Sequence, residues 1–189
     1  MEPMPLVEEA LGVLRELAPY EGDRLLHVEA VARIAHEFAR TLGDAPSLDT
    51  LVAAAWLHDI GYASALRDTG HHAIDGAAYL RRRGWPESVT SLVAHHSGAL
   101  EEAAQRGLAA ELTLFPTPPA ELEDVLTLSD MTCGPAGQPM SVDERLREIF
   151  HRYSRRHPVH RALMASAPEL RARAMRAERR LRLVSAQPM

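Results

Sequence analysis

The chain has 189 residues, 46% apolar and 25% charged, enough for one domain with its own core and short for two. Its formal net charge of -5 argues against a surface built to coat nucleic acid, so any anionic ligand must be met by locally concentrated positive charge. The single cysteine, Cys133, excludes disulfide scaffolds and cysteine zinc sites, and all 21 basic residues are arginine, which removes lysine Schiff bases and P-loop chemistry.

The longest apolar run, Leu51 to Leu57, is too short to span a bilayer, and the start Glu2-Pro3-Met4-Pro5 is unlike an export signal. A cytoplasmic protein without membrane contact is expected. Strand signals are nearly absent and helical punctuation is dense. An amphipathic helix over Leu6 to Leu17 stops before Pro19. Asp23 caps a second, with His27, Val31, Ile34 and Phe38 at helical spacing and Gly43 closing it. Ser47 or Asp49 starts a third, whose stripe of Leu48, Leu51, Val52, Ala55 and Asp59 is ended by Gly61.

A fourth helix runs from His72 to Arg83, with Asp75 near its start and Arg81-Arg82-Arg83 at its end, as the helix dipole favours. Pro86 opens a fifth that carries Val89, Leu92, Val93 and His96 on one face. Ala99 to Leu112 reads as one further helix, Phe115 to Pro119 as a loop, Ala120 to Met131 as a helix and Gly134 to Pro139 as a second loop. Ser141 with Glu144 forms a capping box, and Ser166 with Glu169 forms another for the last helix. The arginine-rich end, Arg171 to Arg182, reads as a solvated helix face. The expected fold is one all-α domain over 1-189, with a core of about 20-135 and C-terminal helices over about 141-185.

The chemistry concentrates around His58-Asp59-Ile60-Gly61. His27 precedes this stretch, His71-His72 and His95-His96 follow it, and Asp130 comes later. His27, His58, Asp59 and His96 share faces with apolar neighbours, and Asp130 follows Leu126 by one turn. Aspartate is rarely buried unless paired or metal-bound, so polar residues pointing coreward together need a common partner. A divalent cation is the economical one. Nitrogen and oxygen ligands suit Fe, Mn, Zn, Ni or Co, and the histidine share disfavours Mg or Ca.

On these residues, from Arg24 to Asp130, the chain resembles the HD superfamily of metal-dependent phosphohydrolases in its small HDIG-type form. Ser129-Asp130-Met131-Thr132 before a Gly/Pro loop adds to the likeness. The resemblance implies an HD-domain helical bundle with a C-terminal helical extension, and His27, His58, Asp59 and Asp130 as metal ligands. For a two-metal member it adds His72, with Gly76 four residues on, and His95 or His96, with Asp59 bridging two ions. His96 is preferred because it continues its own apolar stripe; His95 then faces the substrate or stands behind the ligands. His71 stands behind His72 or in solvent. Arg24 and Arg81 are expected to clamp phosphate groups.

The implied activity is hydrolysis of a phosphoester or phosphoanhydride by metal-activated water, with Asp59, His58 and His95 as the catalytic set. Ser97-Gly98-Ala99-Leu100 stands where cyclic-dinucleotide phosphodiesterases carry Gly-Tyr-Pro. Ile60 to Ser64 lacks the Glu-Asp pair of alarmone hydrolases. A nucleotide or dinucleoside polyphosphate remains as substrate class, with a homodimer left open and nucleic acid not expected. A non-catalytic metal and nucleotide sensor and a di-iron oxygenase are the alternatives.

Overall fold

In the computed structural model, which describes residues 4–17, 20, 22–39 and 45–185, the apolar stripes become α-helices. They are α1 (Pro5–Leu17), α2 (Asp23–Ala39), α3 (Ala45–Leu57), α4 (His72–Arg82), α5 (Glu87–His95), α6 (Ala99–Arg106), α7 (Ala109–Leu112), α8 (Ala120–Met131), α9 (Val142–Arg152) and α10 (Pro158–Ser185). Short 3₁₀ turns occupy Ile60–Tyr62, Ser64–Leu66 and His96–Gly98. Among the described residues there is no strand, only an isolated bridge between Cys133 and Pro139 that closes the expected loop. The all-α expectation holds. No helix among these residues is long and apolar enough to cross a membrane.

Helix α3 is the axis of the bundle. Leu51, Ala53, Ala54, Ala55 and Leu57 are all fully buried, so it is apolar around its circumference, as a helix surrounded by others must be. It packs against α1, α2, α5 and α8. The alanines let these neighbours come close, which brings the ends of several helices to one place. Trp85 lies in the same core and Trp56 packs against it.

Several sequence expectations change. The third helix begins at Ala45, ahead of Ser47 and Asp49. Asp49 instead reaches across to α1, accepting from the Leu6 and Val7 N–H groups at 3.0 Å each, donors that have no partner in the first turn of a helix. Gly43 lies outside the described residues. The helix expected over Ala99 to Leu112 is broken at Gly107, whose φ of 75° ends α6 before α7 begins. Gly61 does not terminate α3, which stops at Leu57. Its reason is contact: a Cβ there would sit 1.9 Å from the His72 carbonyl oxygen and 2.8 Å from the Gly76 nitrogen. Gly61 thus lets the turn after α3 lie directly on α4.

The C-terminal region changes most. Ser141 and Glu144 do form both halves of a capping box on α9. Ser166 and Glu169, however, lie inside α10, which runs through Pro168. Nor is the arginine-rich end simply solvated. Asp124 of α8 is fully buried and receives a two-pronged Arg176 guanidinium at 2.9 and 2.7 Å and Arg180 at 3.2 Å. Arg173 pairs with the adjacent Glu123 at 2.6 Å. Met131, Leu146, Leu163, Ala167 and Leu170 make a small core of their own beneath this ladder. The last helix is therefore part of the packed domain.

This yields a stability prediction. Asp124→Ala removes the buried carboxylate that Arg176 and Arg180 share, and should cost roughly 2 kcal/mol or more, below the ~3–5 kcal/mol of a fully buried pair because solvent reaches the guanidiniums. Urea unfolding measures it; a midpoint equal to the parent protein's would show that the ladder is only a surface feature.

Candidate metal centre

Five elements deliver the six expected ligands to one place. His27 comes from α2 and His58-Asp59 from the end of α3. His72 opens α4, His96 follows α5, and Asp130 sits in the last turn of α8. Three imidazoles are held the same way, with Nδ1 on a backbone carbonyl: His27 on Gly134 at 3.0 Å, His58 on Ala55 at 2.8 Å and His96 on Val93 at 2.7 Å. Each Nδ1–H donates, so each Nε2 points inward, the orientation found behind metal-bound histidines.

The inward atoms form two adjoining sets, His27, His58 and Asp130 in one and Asp59, His72 and His96 in the other. Within each set the ligand atoms all lie within 4.8 Å of one another. His27 Nε2 is 3.1 Å from Asp130 Oδ1. His72 Nε2 is 3.1 Å from His96 Nε2 and 3.4 Å from Asp59 Oδ1. The other oxygen of Asp59 faces the first set, 3.6 Å from His58 Nε2. Asp59 thus presents one oxygen to each group.

The donor set fits divalent transition metal. His58 Nε2 is buried and has no hydrogen-bond partner, a costly state for a lone pair unless a cation takes it. Asp59 and Asp130 are only 5% and 7% exposed. Burial works to raise both carboxyls, yet His58 and Arg24 hold Asp59, and the His27 hydrogen bond holds Asp130, below the usual carboxylate range. Burial pushes His58 and His72 below the usual imidazole range. Burial opposes the proton on His27 too, but its bond to Asp130 prevails and raises it. Ionised carboxylates beside the neutral imidazoles of His58 and His72 are what a metal requires of its ligands, and His27 gives up its Nε2 proton to bind one.

Around the ligands lies a supporting layer. The His72 ring is stacked between Tyr62, 4.2 Å away at 16°, and His71, 5.9 Å away at 11°. His71 is buried, accepts from the Ile74 N–H through Nδ1 and donates through Nε2 to the Ala99 carbonyl, so it stands behind His72. Arg24 pairs with Asp59 Oδ2 and lies 4.0 Å over the Tyr62 ring, at the cavity as expected but on a ligand.

Two expected site residues are elsewhere. His95 turns its Nε2 to the Phe115 carbonyl at 3.0 Å and lines a neighbouring cavity with Thr113 and Phe115. The chain leaves the helix at His96, whose backbone is extended (φ -61°, ψ 146°), and there His96 turns to the centre while His95 turns to Phe115. Arg81 donates to the Leu114 carbonyl at 3.2 Å and covers the Phe115 ring at 4.3 Å. It follows His72 by about two and a half helical turns, which places it on the far side of α4. Neither residue lines the metal cavity.

That cavity, about 110 Å³, is also lined by Ser97, Arg145, Arg152 and Tyr153, which the sequence reading passed over. Ser97 is the one non-glycine residue with positive φ among those described, at 42°, and its hydroxyl is buried without a partner. Such a backbone costs of order 1–3 kcal/mol and collects at functional sites; here it turns the chain from His96 into α6. The signal for the α9 residues was the spacing of Arg145, Ile149 and Arg152 at i, i+4 and i+7, one face of a helix.

The HD domain family model matches residues 24–155. Ribonuclease Y of Salinispora arenicola is 32% identical over 153 residues, 80% of this chain and 22% of that protein. Ribonuclease Y of Salinispora tropica is 33% identical over 147 residues, 77% of this chain and 21% of that protein. A tRNA (cytidine(56)-2'-O)-methyltransferase of Thermoplasma volcanium is 34% identical over 108 residues, 54% of this chain and 31% of that protein. The chain spans about a fifth of the length of these ribonuclease Y relatives. No solved structure matches.

The two ligand sets make a metal-content prediction. After loading with Mn²⁺ and removal of excess, mass spectrometry should find two ions per chain in the parent protein and about one in His58→Ala or in His72→Ala. Two ions retained in either variant would remove that histidine from the ligand set.

Proposed function

The chain belongs to the HD domain family, a superfamily of metal-dependent phosphohydrolases, and from that premise we propose that it hydrolyses a phosphoanhydride or phosphoester of a nucleotide or dinucleoside polyphosphate. The observation that carries the reading is the pair of adjoining ligand sets with Asp59 between them. On this reading His27, His58 and Asp130 would hold one divalent ion, His72 and His96 would hold a second, and Asp59 would offer an oxygen to each. Fe, Mn, Zn, Ni or Co suits the nitrogen-rich set.

Ions held there supply Lewis acidity toward a phosphoryl oxygen and toward the attacking water. The chain supplies everything that fixes their positions. The Nδ1 anchors on Gly134, Ala55 and Val93 set three rings before any ligand arrives, so no reorganisation is needed during reaction. Tyr62 and His71 hold the fourth ring between them. Arg24 balances Asp59 and, a third exposed, is placed to meet an arriving phosphoryl group. Water adds across the P–O bond: its oxygen joins phosphorus, and the leaving oxygen departs with a proton. The substrate is a diffusible small molecule of the cytoplasm.

A second reading is favoured by the relatives named ribonuclease Y: the same centre cleaving an RNA phosphodiester. One experiment separates the two. Mn²⁺-loaded protein is offered dinucleoside polyphosphates, nucleoside polyphosphates and short RNA. Turnover of the polyphosphates is expected, falling by on the order of 10³-fold in Asp59→Ala. Turnover of RNA alone selects the second reading. No turnover of any substrate by protein carrying its ions would overturn hydrolysis and leave a binding role.

A further inference from the structure

Helix α9 brings to the metal cavity a charged device that neither the ligand set nor the family likeness accounts for. Arg145, Ile149, Arg152 and, just past the helix end, Tyr153 all line the cavity. Glu148, one row over, joins the two arginines. Its Oε2 takes Arg145 Nη1 at 2.6 Å, and its Oε1 takes Arg152 through Nε at 3.0 Å and Nη2 at 2.5 Å. Both carboxylate oxygens are thereby used, one for each guanidinium, and the two forks are held side by side.

The clamp has donors left over. Arg145 is buried, 8% exposed, and its Nε has no partner in the protein. A buried guanidinium donor without an acceptor is expensive, and Arg145 lines the cavity that an anion would enter. The charge is also unbalanced. Apart from the metal ligands, the acid lining the cavity is Glu102, and Arg106 already engages it at 2.7 Å. Two arginines on one glutamate leave a net positive charge on the α9 wall. Arg24, by contrast, is paired with Asp59.

We infer that the Arg145–Glu148–Arg152 clamp is the site for a second, non-reacting phosphoryl group, joined to the reacting one by an anhydride. The inference rests on the hydrolase reading for what the first phosphoryl group does. It adds that the substrate is diphosphorylated at the cleaved end, because an arginine fork recognises phosphate oxygens two at a time. A direct anhydride link is the shortest one, and both arginines line the same cavity as Asp59, His72 and Asp130. Glu148 is a positioning residue, aligning the forks without touching substrate.

Binding, not turnover, tests this. Calorimetry on the Mn²⁺-loaded protein compares imidodiphosphate, a pyrophosphate analogue that resists hydrolysis, with orthophosphate and with adenosine 3',5'-bisphosphate, whose phosphates are a ribose apart. Imidodiphosphate should bind at least tenfold tighter than either. Arg152→Ala, a change at a side chain 35% exposed, should erase most of that preference with the metal content unchanged. Arg147→Ala, an exposed arginine on another face of α9, should keep it. Equal affinity for imidodiphosphate and orthophosphate would overturn the inference, as would equal losses in the two variants. Tighter binding of the bisphosphate would also overturn it, assigning the clamp to the neighbouring phosphate of a nucleic-acid strand. The two readings fail separately: a tenfold preference without turnover removes the hydrolase, and turnover without the preference removes the clamp.

Discussion

Two ionised carboxylates kept out of water, Asp59 and Asp130, are the constraint to which the rest of the bundle answers. An isolated buried carboxylate is prohibitively costly, so positive charge has to be supplied from all sides. The helix ends do not supply it. Helices α3, α5 and α8 all end at the centre, and a helix C-terminus carries partial negative charge with unpaired carbonyls. That would worsen matters for the carboxylates alone. It makes sense for a cluster that holds cations. The same helix ends supply the anchors, since Ala55 and Val93, the acceptors for His58 and His96, each lie three residues before the ring they hold. A carbonyl with no donor in its own helix thus becomes the device that aims Nε2 at the metal.

The second dependence runs through the C-terminal helices. Asp130 is useful only if α8 keeps its place, and α8 is tied to α10 through buried Asp124 and its arginines. Helix α10 also packs on α6 and on the turn after His96, so it touches the supports of both ligand sets. Between α8 and α10, α9 is held with Leu146 in the small second core and Arg145 against the cavity. A segment that looks like an appendage in sequence therefore forms one wall of the site.

What was legible in the sequence and what was not divides along a physical line. A helical period reports which face of a segment is buried, and it placed His27, His58, Asp59 and His96 on buried faces because their apolar neighbours marked the same side. It separated His96 from His95 for the same reason, and the structure keeps only His96 at the centre. His72 lies outside the reach of that argument. It opens α4 with no preceding turn to set a stripe, and only family likeness pointed to it.

Long-range ion pairs have no period at all. Asp49 caps a helix more than forty residues earlier in the chain, and Asp124 meets Arg176 across a gap of 52 residues. In both cases a charged residue at a helical position reads locally as a cap or a solvated face. The arginines of α9 failed for the opposite reason: their spacing was regular, but a charged stripe usually faces water. What distinguishes Arg145 is that it is buried and incompletely paired, a property of the assembled fold. A charged stripe earns a functional reading only when packing denies it solvent, and that is decided by α8 and α10, not by α9 itself.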